Sequence, residues 1–328
     1  MSTVRDPATA APDALLGRVR GTGLLAPDAP VVVLLSGGRD SVCLLDLAVL
    51  LCGAGAVTAV HVNYGLRAEA AADQALCEEL CRRLDVPLTV EAAQRPAGAG
   101  NLHAWARDVR YAAGVRLASA RGAQLAAGHT TTDQVETILY RLAASPGRRA
   151  LLGMPVRRGL LVRPLLGAGA DREETAAWCA ARGLAWTEDA SNEADAYARA
   201  RVRSRVVPAL REVHPAAEAN LLRTAELLRD EALVLDEVVE TVLAGREQIA
   251  LAHLAALPPA LARLVVRRLA EAATGELCAR AAGRLPDILA LAGSPGPARL
   301  DLGDGARAVV RDGMLQIERT PPRAARPQ

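Results

Sequence analysis

A chain of 328 residues, 51% of them apolar, has room for one large domain and a second, smaller one, and its formal net charge of +2 supplies no global basic field that would by itself demand a nucleic-acid partner. It contains no lysine and no phenylalanine, so every basic side chain apart from five histidines is arginine. A Walker-type phosphate-loop lysine and a Schiff-base lysine are thereby excluded, and phosphate contacts fall to guanidinium forks, backbone N–H groups and hydroxyls.

In chain order, the first stretch carries Asp6 and Asp13 and no compact apolar segment, so it reads as an extension and first helix rather than a secretory signal. No apolar run is long enough to cross a membrane without interruption, and the expected location is the cytoplasm. Residues 31–35 form a continuous apolar run with three β-branched residues, followed by Ser36-Gly37-Gly38. This predicts a buried parallel strand feeding a helix from about Ser41. Residues 56–62 and 86–90 are the second and third strands, with helical apolar spacing over 68–84 between them. A long amphipathic helix covers 101–121, a fourth strand 124–127, and a further helix 133–142. Strands alternating with helices predict an α/β fold built on a doubly wound, mostly parallel sheet.

After Arg158 the pattern changes. An extended piece over 160–166 contains Pro164, a helix over 171–182 stops at Gly183, and another helix covers 195–210 and ends near Pro208 or at His214-Pro215. From there to about Leu291 the chain is rich in Leu, Ala and Arg at helical spacing; 300–302, the turn Gly303-Asp304-Gly305 and 308–317 read as a small hairpin. The expected organisation is an N-terminal extension and helix (1–28), a large α/β domain (29–213), a smaller, mainly helical domain ending in the hairpin (214–319) and a disordered Pro/Arg-rich tail (320–328). The six cysteines, Cys43, Cys52, Cys77, Cys81, Cys179 and Cys278, include no CxxC pair and read as buried thiols.

Ser36-Gly37-Gly38-Arg39-Asp40-Ser41 lies where the first strand turns into the first helix of the sheet. Two glycines allow close backbone approach and positive φ, the helix start offers unpaired N–H groups, and two serines add hydroxyls, a set that suits a phosphate. The same residues also suit an ordinary strand–turn–helix corner. Asp40 fits an anion cradle when a divalent metal accompanies the phosphate, and otherwise caps the helix. Arg107 and Arg110 are three apart on a helix and suit a phosphate or a carboxylate, or are plain solvated charge. His129 closes a strand at the carboxyl edge of the sheet, where doubly wound folds bind ligands. Asp133 and Glu136 follow in the first turn of the next helix, with Thr132 as its cap. They either serve the helix dipole or present two carboxylates for Mg²⁺, together with Asp40, or for an ammonium group. Arg199, Arg201, Arg203 and Arg205, with Arg148-Arg149 and Arg157-Arg158, form either a basic stripe for a phosphate backbone or a charged surface.

The SGGRDS segment resembles the SGGxDS pyrophosphate loop of the N-type ATP pyrophosphatases. Further segments resemble, in order, those of the tRNA(Ile)-lysidine synthetase family. His61 to Arg67 (HVNYGLR) is similar to HVNHGLR, with Tyr64 for the second His. Ala106 to Tyr111 is similar to ARxxRY, and Gly128 to Thr137 to GHxxDDQxET, with Thr132 for the first Asp. Arg163-Pro164-Leu165-Leu166 and Glu188-Asp189-Ala190-Ser191-Asn192 are similar to RPLL and EDxSN. Tyr197 to Arg203 is similar to YxRNRxR, with Ala200 for Asn. The resemblance spans roughly residues 30–210.

That resemblance implies ATP and Mg²⁺ as cofactors. It places Ser36, Gly37, Gly38, Arg39, Asp40, Ser41, His61, Arg107 and His129 around the nucleotide, and Asp40 and Asp133 on the metal. Asp40, Asp133 and Arg110 stand at the reacting centre, and Arg110, Asp133, Glu136, Arg199 and Arg203 face L-lysine and tRNA. The implied substrate is the minor isoleucine tRNA with a CAU anticodon, whose wobble cytidine is adenylated and then joined to lysine. No membrane is involved, and a homodimer is compatible with the family. Two rivals stand beside it. A tRNA thiolase of the same superfamily that carries an iron–sulfur cluster needs a CxxC that is missing here. A non-catalytic RNA-binding descendant is suggested by Thr132, Tyr64 and Ala200, but has no use for an intact phosphate loop.

Overall fold

The computed structural model describes residues 7–66, 70–96, 101–144, 148–187, 198–294 and 296–321. Arg67, the segment 188–197 that holds the EDxSN residues and Tyr197, and the tail from 322 onward lie outside the described residues. Contacts divide the chain into two compact units, Met1–Leu228 and Arg229–Gln328.

The first unit is built on a six-stranded sheet: β1 (Val31–Leu34), β2 (Val57–Asn63), β3 (Leu88–Ala92), β4 (Gln124–Ala126), β5 (Arg157–Arg158) and β6 (Leu161–Val162). The order is β3-β2-β1-β4-β6-β5, parallel except for β5, which pairs antiparallel with β6 at one edge. β1 is central and buried on both faces, which explains its unbroken Val-Val-Val-Leu run. Val31, Val33 and Leu35 face one layer, with α1 (Pro7–Gly21), α2 (Arg39–Cys52), α3 (Ala70–Arg83) and α8 (Arg172–Ala181). Val32 and Leu34 face the other, covered by α4 (Leu102–Ala120). The pleat's period of two assigns these faces. α4 lies tight on the sheet: a Cβ at Gly114 would come within 2.7 Å of Leu125 and 2.8 Å of Leu34.

Chain connection reverses between β1 and β4, with β2 and β3 to one side and β6 and β5 to the other. This is a topological switch point, and its carboxyl edge is where ligands bind in such sheets. α5 (Thr131–Ala144) leaves β4 at that edge. After α6 (Arg148–Leu151) and the β5–β6 hairpin come α7 (Pro164–Gly167) and α8. The extended piece expected over 160–166 is thus two strand residues and then a helix started by Pro164 at N1. The hairpin makes Arg157 and Arg158 an exposed edge strand.

A helical stretch runs through α9 (Ala198–Arg201), a π turn (Val202–Val206) and α10 (Val207–Val213). Pro208 does not end it; the stretch runs on to Val213 and stops where His214 turns extended. α11 (Ala217–Leu243) then runs 27 residues without Gly or Pro, and the division between the two compact units falls inside it.

The second unit is the smaller one and holds helices and a sheet of its own. β7 (Gln248–Ala250) interrupts the helices and joins β8 (Ala298–Gly303), β9 (Ala306–Arg311) and β10 (Met314–Arg319) in an antiparallel sheet of order β7-β10-β9-β8. Its buried face, including Ala306, Ala308, Val310, Leu315 and Ile317, packs with α13 (Pro259–Thr274) around one core. Three residues, Gln-Ile-Ala, carry too little alternation to announce a strand; pairing with β10 defines it. All six cysteines are buried and unbridged. Burial raises the thiol of Cys52 to about 11 and those of Cys77 and Cys81 to about 12.

Candidate active site

The loop after β1 is held by its own serines. The Ser36 N–H donates to Ser41 Oγ at 3.1 Å, and Ser41 Oγ–H donates to the Gly38 carbonyl at 2.8 Å. Gly37 adopts φ +87°, which a side-chain-bearing residue resists, and its carbonyl accepts from the Thr187 N–H at 2.9 Å. The N-cap of α2 is Gly38, without a side-chain cap, so Asp40 is not the capping group considered from sequence. Its carboxylate is turned instead toward α8. The loop leaves the first-turn N–H groups of α2 at the switch point, the geometry of a phosphate site.

β4 meets this loop at Gly128. A Cβ there would stand 2.8 Å from the Asp40 carbonyl oxygen and 3.1 Å from the Ser41 nitrogen, so only glycine allows the approach. Two residues on, Thr130 and Asp133 form a reciprocal cap at the start of α5. Asp133 Oδ2 accepts from the Thr130 N–H at 2.9 Å, and the Asp133 N–H donates to Thr130 Oγ1 at 3.4 Å. Thr130, not Thr132, caps this helix, because α5 begins earlier than its apolar spacing indicates. Thr132 Oγ1 accepts from the Arg172 N–H at 3.4 Å.

Asp40, Asp133 and Glu136 converge, and the group that joins them is Arg172. Its guanidinium lies 3.1 Å from Asp133 Oδ1, 3.6 Å from Glu136 Oε1 and 3.6 Å from Asp40 Oδ2. Asp40 Oδ1 also accepts from Thr175 Oγ1–H at 2.5 Å. Arg172 and Thr175 sit three apart on α8 and so share a face. That helix is pinned by a complete capping box between Asp171 and Glu174. Burial raises the Asp40 pKa above the ordinary carboxylate value, and Asp133 adds to the rise; the Thr175 hydrogen bond and the Arg172 and Arg39 charges oppose it. Arg203 donates to both Glu136 oxygens, at 2.6 and 3.1 Å. Arg203 is therefore engaged with a carboxylate and not displayed as part of a basic stripe, whereas Arg199 is exposed. Arg39 is 3.8 Å from Asp40.

A second, cationic layer flanks this acidic group. Arg163, only 3% exposed, donates from Nε to His129 Nδ1 at 3.2 Å and from Nη1 to the Pro155 carbonyl at 2.6 Å. Loss of water around the ring is the main cause that lowers the His129 pKa, to about 3. Asp133 opposes the shift, and Arg163, Arg110 and Arg107 reinforce it. With Nδ1 accepting, neutral His129 carries its proton on Nε2. Arg107 and Arg110 lie over the Tyr111 ring at 5.1 and 5.9 Å, and Arg110 Nε is buried without a hydrogen-bond partner. His61 is buried beneath the loop, its Nδ1–H donating to the Leu35 carbonyl at 3.0 Å, so its ring braces the strand end. Tyr64 donates from Oη to the Ala106 carbonyl at 2.8 Å.

The pKa of His129 gives a first testable outcome. Its folded value lies below the ordinary one of about 6.5, so folding favours the neutral ring. That contribution is fully present above about pH 6.5 and is lost as pH falls toward 3. Urea unfolding midpoints should drop across this window, and His129→Gln should flatten the drop; an identical acid slope in the variant would disprove the assignment.

The loop and the acidic residues predicted from sequence thus share one sheet edge, with Arg107, Arg110 and His129 beside them. Arg163 and Thr130, from the RPLL and GHxxDDQxET segments, join them, and Arg172 and Thr175 on α8 are additions that no motif marks.

A PP-loop domain model matches residues 19–210. The tRNA(Ile)-lysidine synthase of Symbiobacterium thermophilum is 38% identical over 94% of this chain and 70% of that protein. That of Salinispora tropica is 38% identical over 94% of this chain and 97% of its own length. The Thermus thermophilus protein of the same name is 41% identical, and the match spans about half of it, 48%. Among solved structures, the U34-tRNA thiolase NcsA from Methanococcus maripaludis shares the fold, with a TM-score of 0.56 at 16% identity over 68% of this chain and 80% of that one. The match over most of the chain establishes that the chain belongs to the tRNA(Ile)-lysidine synthase family of PP-loop enzymes.

Proposed function

We propose that this enzyme adenylates the C2 oxygen of the wobble cytidine in the CAU anticodon of minor isoleucine tRNA, that oxygen attacking the α-phosphate of ATP with release of pyrophosphate, and then joins the ε-amine of L-lysine to C2, the oxygen leaving with AMP and the amine giving up a proton, to form lysidine and AUA decoding. The observation that supports it most is the convergence of Asp40, Asp133 and Glu136 around Arg172 beside the loop, with His129 and the Arg163, Arg110 and Arg107 charges next to Asp133.

The two layers divide the work. Backbone N–H groups of the loop and the hydroxyls of Ser36 and Ser41 receive the triphosphate. Arg107 and Arg110 offset the charge that builds on the phosphates or hold the carboxylate of lysine. The neutral His129 offers an Nε2–H donor. Asp133 and Glu136 attract the lysine ammonium, whose ordinary pKa of about 10.4 requires a proton to leave before attack, and a carboxylate there can accept that proton. Asp40 and Asp133 also fit Mg²⁺. Among the described residues no three His, Cys, Asp or Glu side chains group to hold a metal alone. Two carboxylates beside a phosphate loop suit a cation that takes its other ligands from phosphate and water. When bound, Mg²⁺ neutralises negative charge on the triphosphate. Arg199 on α9 is exposed and available to the tRNA backbone.

The test is incorporation of labelled lysine into unmodified minor isoleucine tRNA with ATP. Lysine-dependent release of AMP and a labelled tRNA are expected. Release of pyrophosphate without lysine transfer, or thiolation in place of it, would overturn the reading.

A further inference from the structure

The acidic group at the switch point is already compensated by side chains of the chain itself. Asp40, Asp133 and Glu136 carry three negative charges when ionised, and Arg39, Arg172 and Arg203 stand against them. Among the described residues, Arg172 alone lies within 4 Å of all three carboxylates. Its side chain is 20% exposed, and its backbone is fixed at the first turn of a capped helix. A dication arriving by itself would have to push this guanidinium off the two carboxylates it needs and leave it part-buried beside Glu136 only, a carboxylate that Arg203 already engages through both oxygens. Such a poorly compensated charge in a poorly solvated site is unfavourable. A dication arriving with a triphosphate meets a different balance, because the phosphate oxygens give the released guanidinium a new planar, bidentate partner.

We propose that Arg172 is a positioning residue that holds Asp40, Asp133 and Glu136 together and, as a tethered cation, keeps a free divalent ion out until nucleotide phosphate arrives. This rests on the reading of Asp40 and Asp133 as metal-binding carboxylates. It makes binding ordered: nucleotide and metal enter together, and metal alone binds weakly.

The experiment is Mn²⁺ titration of the full-length protein, followed by the electron paramagnetic resonance of free Mn²⁺, with and without the non-cleavable analogue α,β-methylene ATP. Wild type should bind Mn²⁺ weakly alone and much more tightly with the analogue. R172Q should bind Mn²⁺ alone at least tenfold more tightly than wild type, and the advantage should vanish with the analogue present. A merely structural role predicts the opposite sign, since a collapsed cluster binds metal less well. R172K keeps one charge without the fork and should fall between the two, which serves if R172Q does not fold. Tight Mn²⁺ binding by wild type without nucleotide, or equal or weaker binding by R172Q, overturns the proposal and leaves the metal assignment standing. Absence of Mn²⁺ binding by wild type and variants even with the analogue overturns the metal assignment and the gating role with it.

Discussion

Asp133→Asn is expected to lower lysine incorporation at least ~100-fold while leaving the fold intact, the scale of losing a charged group from a reacting centre. The substitution preserves shape. An Asn oxygen can still accept from the Thr130 N–H, which lies 2.9 Å from the present carboxylate, so the capping contribution of about 1 kcal/mol is largely kept. What disappears is the negative charge that faces Arg172 at 3.1 Å and serves either metal or amine. Activity should collapse with a melting temperature close to wild type. Full activity in the variant would remove Asp133 from the chemistry and reduce it to a helix cap.

Gly128→Val is expected to weaken nucleotide binding tenfold or more and to destabilise the protein by about 1–3 kcal/mol, the usual cost of overpacking. The branched side chain begins at a Cβ that would stand 2.8 Å from the Asp40 carbonyl oxygen and 2.9 Å from its carbon. Both are backbone atoms, so no rotamer change relieves the overlap; either the loop or the end of β4 must move. Displacement of the loop by even about 1 Å matters, because positioning of the triphosphate is much of what the site contributes. Calorimetric titration with α,β-methylene ATP reads the affinity. Gly17→Ala is the matched control: it lies in α1 with nothing within 4 Å of an added Cβ, and should stabilise by about 0.5–1 kcal/mol. Equal nucleotide affinity for Gly128→Val and wild type would mean the loop does not depend on this approach.

The sequence carried the large domain well because its signals are local and strong. An all-apolar β1 followed by two glycines, and a helix after each of the first strands, leave few alternatives to a parallel sheet. The loop, His129 and Asp133 were legible because each sits directly after a strand, where topology alone brings strand ends together. Arg172 was not, since a charged residue in the first turn of an amphipathic helix looks like solvated surface until the sheet brings α8 against Asp40. Arg163 stands in the RPLL segment, but its burial and its bond to His129 follow only from the fold. The direction of Arg203 depends on the π turn at Val202–Val206, which no periodicity announces. β7 stayed hidden for a related reason: three residues become a strand only through a partner more than sixty residues away in the chain.

The burial of every cysteine has a practical consequence for watching this enzyme move. Shielded thiols react slowly with maleimides and with oxidants, and burial raises those of Cys77 and Cys81 further from reactivity. A single cysteine introduced on the surface, for instance in place of exposed Arg199, would therefore be labelled selectively with a fluorophore or spin label in the otherwise native chain, and the native thiols would not cross-link the protein during handling in air.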